Sequence, residues 1–240
     1  MRTPRRAGWM RRNARGAFLL ALALAGASRT AAAEERERHW FLQVAGGAST
    51  MQLRDVKDFY QQDLNFYRSN GIPIESQREF PANLIVGGDV LYGLPDDIRI
   101  GIGTRYTWSH AYALYGDFGG TLDVVGEVRL LAVQVVSQRV WSATGPWSPF
   151  VEVRAGRGWA RIKVYDKLVL TQYATGEAQA TLEGKGSAPL AELHIGMRNS
   201  RGHNFLIGTA GYRYCKLPGP PFDLDVSGFV TTLTVGRAIH

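Results

Sequence analysis

The chain has 240 residues, a single cysteine and a formal charge of +7 at pH 7. One cysteine excludes an intramolecular disulfide framework. The positive charge does not indicate nucleic-acid binding, because residues 1–33 carry seven of the 28 basic residues and no acidic one, which leaves 21 basic and 21 acidic side chains in the remainder.

The first 33 residues have the layout of a secretory signal. An arginine-rich start is followed by the apolar stretch 17–26 and by small residues, with Ala31 and Ala33 placed for A-x-A cleavage. Ten apolar residues are too few for a membrane-spanning helix, which needs about twenty. The sequence therefore predicts a cleaved signal peptide over 1–33 and one domain over 34–240.

The remainder of the chain reads as short runs of alternating apolar and polar residues, separated by turn residues. Eight runs of about twelve residues or more suit tilted transmembrane strands, which need about nine to eleven residues. The predicted strands are 39–50, 82–94, 98–110, 121–136, 148–164, 188–199, 204–216 and 223–239.

The links between these runs alternate in length. Residues 51–81 and 165–187 form long links and 111–120 a medium one, whereas 94–97 and 200–203 are tight turns. The last outer link, 217–221, is short and is the exception. This pattern is typical of outer-membrane barrels, which have short periplasmic turns and longer outer loops. We therefore predict an all-β fold, an eight-stranded antiparallel up-and-down transmembrane β-barrel.

The first long link contains the one helical segment, 53–71. Apolar residues recur at helical spacing, and Asn70-Gly71 provides a stop signal. We expect a helix in the first outer loop that packs on the barrel rim. The alternative is a lid that grips a ligand.

The stretch IRIGIGTRYTW, 98–108, raises the question of which face lies inside. Its isoleucines and aromatic residues share one face, and Arg99 and Arg105 share the other with two glycines. The polar phase of several strands contains five acids and five arginines. Their predicted place is a charge network that fills the barrel interior, where buried charges must be paired. The predicted members are Asp89, Arg99, Arg105, Asp123, Glu127, Arg129, Glu152, Arg154, Glu192 and Arg213.

In the fifth strand, Arg157 and Arg161 fall out of phase with Glu152 and Arg154. This conflict requires a β-bulge or an early exit from the lipid zone. Aromatic residues near strand ends predict girdles at the two membrane interfaces. The predicted girdle residues are Trp40, Tyr92, Tyr106, Trp108, Trp147, Tyr212 and Tyr214.

Together with the stretches PFVEVRAGRG (149–158) and AGYRY (210–214), these patterns make residues 39–240 resemble the eight-stranded outer-membrane β-barrel families of the OmpX, OmpW and OmpA-barrel kind. The resemblance implies a porin-like Gram-negative outer-membrane protein, in contact with outer-membrane lipid and lipopolysaccharide and inserted by the barrel-assembly machinery. Such barrels commonly end in an aromatic residue, whereas this chain ends in Ile239 and His240.

No motif for catalysis, metal binding or cofactor binding is recognisable. The histidines lack metal-ligand spacing, and Ser109 and His110 point to opposite faces of an extended strand. We predict a non-enzymatic monomer that binds no nucleic acid and acts through its outer loops in envelope support, surface interaction or passage of small hydrophobic molecules. The alternatives are a soluble periplasmic or secreted lipocalin-like barrel with an apolar ligand, and a lipid-modifying outer-membrane enzyme.

Overall fold

The computed structural model describes residues 39–78, 80, 82–117, 119–141, 147–170, 176–218 and 223–239. The predicted signal peptide, 1–33, lies outside the described residues. Within them, no helix is long and apolar enough to cross a membrane.

Eight antiparallel strands form a closed ring, as the sequence predicts. They are β1 (Trp40–Ser49), β3 (Asn83–Leu94), β4 (Ile98–Asp117), β5 (Gly120–Val140), β6 (Trp147–Leu170), β7 (Gly176–Arg201), β8 (Asn204–Tyr214) and β11 (Gly228–Ile239). Each strand pairs with its neighbour in this series, and β11 pairs with β1. Three short strands were not predicted: β2 (Glu75–Arg78), which pairs with β4, and the hairpin of β9 (Lys216–Leu217) and β10 (Leu224–Asp225).

The ring has two unlike ends. Short connections join β3 to β4, β5 to β6 and β7 to β8 at one end, which we call the turn end. The long first link, the segment between β8 and β11, and the tips of the β4–β5 and β6–β7 hairpins lie at the other end, which we call the loop end. Counted from the ends of the shorter strands, the connections at the loop end are the longer ones, as in outer-membrane barrels with short periplasmic turns and longer outer loops.

Four neighbouring strands are much longer than the sequence predicts. β4 to β7 have 20, 21, 24 and 26 residues, against 10 to 12 in the other barrel strands. The predicted links 111–120 and 165–187 are therefore mostly strand. The extra eight residues or more correspond to about 27 Å along a strand, at about 3.4 Å per residue. We call the part of β4 to β7 that rises beyond the shorter strands the outer wall.

The apolar face of the opening stretch lies outside and the arginine face lies inside. Ile102 is 62% exposed, whereas Arg99 and Arg105 are 7% and 3% exposed. Exposed apolar side chains continue around the ring on every barrel strand. An apolar outer face is the arrangement of a barrel in lipid. It is the reverse of the lipocalin-like alternative, which requires the apolar faces inside.

The fifth barrel strand needs no bulge. β6 pairs with both β5 and β7 without a register shift along its full length. Glu152 and Arg154 face inward, and Arg157 and Arg161 face outward. Of the two alternatives, the β-bulge is absent, and the strand instead leaves the lipid zone early, because the outward arginines lie on its rising part.

The helix α1 (Arg54–Ser69) forms where the sequence predicts it and ends at Asn70. It packs inside the loop end of the ring instead of resting on the rim. Val56, Tyr60 and Leu64 on one face are at most 1% exposed. The helical spacing of these apolar residues is the reason that a single face can be buried against the wall.

Candidate functional site

The barrel interior at mid-height is a network of buried ion pairs. Arg154 donates from Nη1 and Nη2 to the two carboxylate oxygens of Asp89, at 2.9 and 2.7 Å. Arg105 donates to the same two oxygens at 3.2 and 3.1 Å, and Arg154 also donates from Nε to Glu152. One carboxylate thus bridges two guanidinium groups, an arrangement that suits the planar fork of arginine.

A second set of pairs continues this network across the lumen. Arg213 donates from Nε to Glu192 at 2.6 Å and from Nη1 to Thr107 Oγ1 at 3.3 Å. His194 Nε2 lies 2.9 Å from the other oxygen of Glu192. We call Asp89, Arg105, Glu152, Arg154, Glu192, His194 and Arg213 the central network; all are at most 4% exposed.

Glycines make room for the network. A Cβ atom on Gly103 would lie 2.0 Å from Asp89 Oδ1 and 3.0 Å from Arg154 Nη1. A Cβ atom on Gly87 would lie 2.6 Å from the Arg105 side chain. Any side chain at these positions would displace a buried charged group.

Three predicted members of the network lie elsewhere. Asp123, Glu127 and Arg129 occupy the outward phase of β5, where Arg129 pairs with Glu127 at 2.6 Å. The inward phase of this part of β5 is apolar, because it packs against α1 and not against water or lipid. The rule that apolar residues face lipid therefore fails above the membrane zone.

Arg99 is buried but lies near the turn end, apart from the acids of the network. Its guanidinium carbon is 4.0 Å from the centre of the Phe41 ring, and that of Arg198 is 4.3 Å from the centre of the Phe205 ring. We call the surrounding residues the turn-end cluster. Its members are Phe41, Leu91, Val136, Val140, Phe150, Phe205 and Ile207.

The loop end is closed by an apolar cluster around α1. The buried helix face packs with inward residues of the outer wall, including Val124 and Ile162, and with the β9–β10 hairpin. We call this the cap cluster. Its buried members are Met51, Leu53, Val56, Tyr60, Leu64, Ile74, Phe80, Ala111, Ala113, Leu122, Val124, Val128, Leu130, Ala132, Ala160, Ile162, Ala188, Leu190, Cys215, Leu217, Leu224 and Val226.

A pair of carboxyl groups joins the helix to the outer wall. Asp63 on α1 is hydrogen-bonded to Asp166 on β6, and the Tyr67 hydroxyl donates to Asp166 at 2.8 Å. Burial raises the pKa of Asp63 to about 7, and the neighbouring Asp166 raises it as well. Asp63 is therefore protonated below neutral pH and can donate to Asp166, and the two carboxylates repel each other when both are charged.

The predicted girdle residues all lie in the outward phase of their strands. Trp40 and Tyr92 are in contact at the turn end, with ring centres 5.1 Å apart, and Trp147 begins β6 at the same end. Tyr106 and Trp108 are paired at 5.6 Å higher on the barrel. Tyr212 and Tyr214 lie at the loop end of β8. The sequence prediction omitted two exposed tryptophans: Trp141, which directly follows β5, and Trp159, which lies in the middle of β6.

Other reactive groups do not assemble into a site in the described part of the chain. It contains no group of three or more histidine, cysteine or acidic side chains that could hold a metal ion. Cys215 is buried, and burial raises the pKa of its thiol to about 12. A thiol with such a pKa is a poor nucleophile at neutral pH.

No protein-family model matches the sequence, and no curated protein matches it. Among solved structures, the chain is similar to neisserial surface protein A, with 11% identity and a TM-score of 0.47, over 84% of this chain and 99% of that one. It is also similar to the N-terminal β-barrel domain of Pseudomonas aeruginosa OprF, with 11% identity and a TM-score of 0.35, over 83% and 97%. A third is Ail of Yersinia pestis, with 10% identity and a TM-score of 0.40, over 85% and 99%.

Identities of 10 or 11% assign neither a family nor a function to this chain. The geometry of the chain itself identifies its class, because only helices and closed rings of strands can span a lipid bilayer. A closed ring with an apolar outer face makes this chain an eight-stranded transmembrane β-barrel of the outer-membrane kind.

Proposed function

We propose that the chain is a sealed, non-enzymatic outer-membrane barrel that acts through the part standing above the membrane. The observation that carries this proposal is the filling of the lumen at three heights. The turn-end cluster, the central network and the cap cluster follow one another along the barrel axis.

The central network alone obstructs a water path. The interior of an eight-stranded barrel is only wide enough for side chains. Arg154 is 1% exposed and Asp89 is 3% exposed. A solute crossing this level would have to separate buried pairs, and leaving one buried charge uncompensated costs about 3 to 5 kcal/mol.

Axial passage of small hydrophobic molecules has less support than surface interaction or envelope support. The loop end of the lumen is occupied by α1, whose apolar face is already packed against the protein. The outer wall presents an extended surface beyond the membrane zone instead. We therefore favour a role in which this surface contacts other envelope or external components.

The proposed location is the bacterial outer membrane, reached after cleavage of the signal peptide over 1–33. Support comes from the apolar outer face and from the sorting of turns and long links. We further propose insertion by the barrel-assembly machinery, contact with outer-membrane lipid and lipopolysaccharide, and a monomeric state.

Cell fractionation and gel migration test the location. A folded barrel in the outer-membrane fraction should migrate differently with and without boiling. A soluble periplasmic protein with no such shift would contradict the proposal.

Flux measurements test the sealed lumen. The purified protein is reconstituted into liposomes, and efflux of potassium ions and of a small sugar is compared with that of empty liposomes. Liposomes with an open porin of 16 to 18 strands, which holds an aqueous channel, serve as the positive control. We expect efflux equal to that of empty liposomes. Efflux that rises with the amount of heat-shiftable protein would overturn the proposal of a sealed barrel.

A further inference from the structure

Three basic side chains form a row across the outward face of the outer wall. Arg129 on β5 lies directly opposite Arg161 on β6, and Arg161 lies directly opposite Lys185 on β7. All three side chains are exposed. We call these residues the cation row; at about 4.8 Å between strands, it spans about 10 Å.

The folded chain gains nothing from this row by itself. Directly opposed like charges destabilise a pair of antiparallel strands. The neighbouring acids compensate only in part: Glu127 pairs with Arg129 at 2.6 Å and Glu183 pairs with Arg161 at 3.0 Å. Lys163 and Arg157 face outward on the same strand, so five cations surround two acids.

Arg129 and Arg161 can each bind a further anion although both are already paired with an acid. Arg129 and Arg161 remain 52% and 51% exposed. Arg161 contacts both oxygens of Glu183 through Nη2 alone, and arginine has five N–H donors. The hydrogen bond from Arg161 lowers the pKa of the Glu183 carboxyl, and the charges of Lys185 and Lys163 lower it further, which places both lysines near the same group.

An aromatic and apolar row lies directly beneath the cation row. Tyr106, Leu131, Trp159 and Ser187 are opposite one another on β4, β5, β6 and β7. Trp108 lies beside the cation row, opposite Arg129. Below these positions the outward face is apolar, with Val133 and Val135 on β5. Aromatic residues mark the lipid–water interface of a barrel, so the cations lie at headgroup height.

The position of Arg157 agrees with this assignment. It lies one row below Trp159 in the ladder, opposite Val133. Strands of such barrels are tilted by about 35 to 45°, so a plane parallel to the membrane crosses the rows obliquely. The Arg157 side chain donates to Ser187 Oγ at 2.8 Å, and this hydrogen bond directs the guanidinium along the wall toward the cation row.

We propose that the cation row, with Arg157 and Lys163, binds the phosphate groups of an outer-leaflet glycolipid of the lipid A class. The acyl chains would lie against Val133, Leu131 and Trp159, and the phosphorylated sugars would lie against the guanidinium groups. This proposal rests on the proposed location in the outer membrane, with the loop end outside.

The test is a titration of the purified protein, in non-ionic detergent, with bisphosphorylated lipid A. Binding is followed by tryptophan fluorescence, to which Trp108 and Trp159 contribute, and bound lipid is counted by native mass spectrometry. The variant Arg129→Ser/Arg161→Ser/Lys185→Ser is compared with Arg201→Ser/Arg237→Ser, which removes two exposed cations from the turn end. Heat-shift gels verify that each variant is folded.

We expect the cation-row variant to bind lipid A at least about tenfold more weakly, which corresponds to about 1.4 kcal/mol, because three cations that face the phosphates are removed. The turn-end variant should bind like the unmodified protein. A second variant, Glu127→Gln/Glu183→Gln, removes the competing acids and should bind more tightly.

Equal binding of dephosphorylated lipid A, or equal loss of binding in the turn-end variant, would overturn the proposal. So would unchanged binding when the acids are neutralised. These failures are separate from failure of the proposed function, which would show as a soluble protein with no heat shift. A membrane-inserted, folded protein that does not discriminate the phosphates would refute the lipid site alone.

Discussion

Arg154 and Asp89 are 65 positions apart in sequence, and in the barrel they form two hydrogen bonds of 2.9 and 2.7 Å between one guanidinium and one carboxylate. The same carboxylate accepts two further hydrogen bonds from Arg105. This contact joins β6 to β3 across the lumen. It therefore ties together strands that are not neighbours in the ring.

Removing Arg154 should destabilise the barrel strongly. In Arg154→Met, Glu152 loses its guanidinium partner and Asp89 keeps only Arg105. We expect the free energy of unfolding to fall by about 3 to 5 kcal/mol, the typical effect of leaving a buried charge without its partner. Urea unfolding in phospholipid vesicles, followed by tryptophan fluorescence, measures the change.

The matched control for this prediction is Arg161→Met on the same strand. Arg161 pairs with Glu183 on the exposed face, and exposed pairs contribute about 0 to 1 kcal/mol. Equal losses in the two variants would contradict the assignment of Arg154 to a buried network.

Gly103→Ala should also perturb the network. The added Cβ would meet Asp89 Oδ1 at 2.0 Å, and the carboxylate cannot move without disturbing its two arginines. We expect a loss of about 1 to 3 kcal/mol in the free energy of unfolding, the usual cost of overpacking. Gly208→Ala is the control, because nothing lies within 4 Å of its added Cβ. A barrel equally stable with either alanine would show that the space at Gly103 is not required.

A charge placed on the lipid face should hinder insertion. Ile102→Arg puts a guanidinium on the outward apolar face of β4, between the two girdles, where arginine near the bilayer midplane costs about 2 to 4 kcal/mol. Leu114→Arg makes the same kind of change on the same face of the same strand, but on the outer wall, and should have little effect. The heat-shiftable fraction after folding into vesicles reports both. Similar yields for the two variants would be inconsistent with a membrane boundary between these positions.

The carboxyl pair of Asp63 and Asp166 predicts that α1 packs less stably against the outer wall as pH rises. Burial and Asp166 raise the pKa of Asp63 from 3.8 to about 7, so the folded state holds a proton that the unfolded state releases near pH 4. The contribution of Asp63 to stability is therefore greatest below pH 4, falls between pH 4 and 7, and is lowest above pH 7. The Tm of the protein, measured across this range, should decrease.

Asp63→Asn separates this effect from other titrations. The amide retains a hydrogen-bond donor toward Asp166 and carries no charge at any pH. We expect a higher Tm than the unmodified protein above pH 7 and a weaker dependence on pH between 4 and 7. Asp58→Asn, on an exposed position of the same helix, is the control. A pH dependence that is unchanged in Asp63→Asn would remove this pair as its cause.

Sequence alone determined the elements that rest on local periodicity. Alternation placed every barrel strand, and the inward phase of Arg105, Glu152, Glu192 and Arg213 follows from it. Helical spacing located α1 to within two residues at each end. These features depend on neighbours along the chain, so they can be predicted before any tertiary contact is known.

Only the tertiary structure decided where the membrane zone ends. Glu127 and Arg129 have the same alternation as the residues of the central network, but they lie on the outward face of the outer wall. There α1 covers the inner face, so the apolar residues of β5 face inward and the charged ones face outward. Likewise, the cation row arises from three strands whose register sets Arg129, Arg161 and Lys185 side by side. Periodicity distinguishes the two faces of a strand, but what each face meets depends on the elements packed against it.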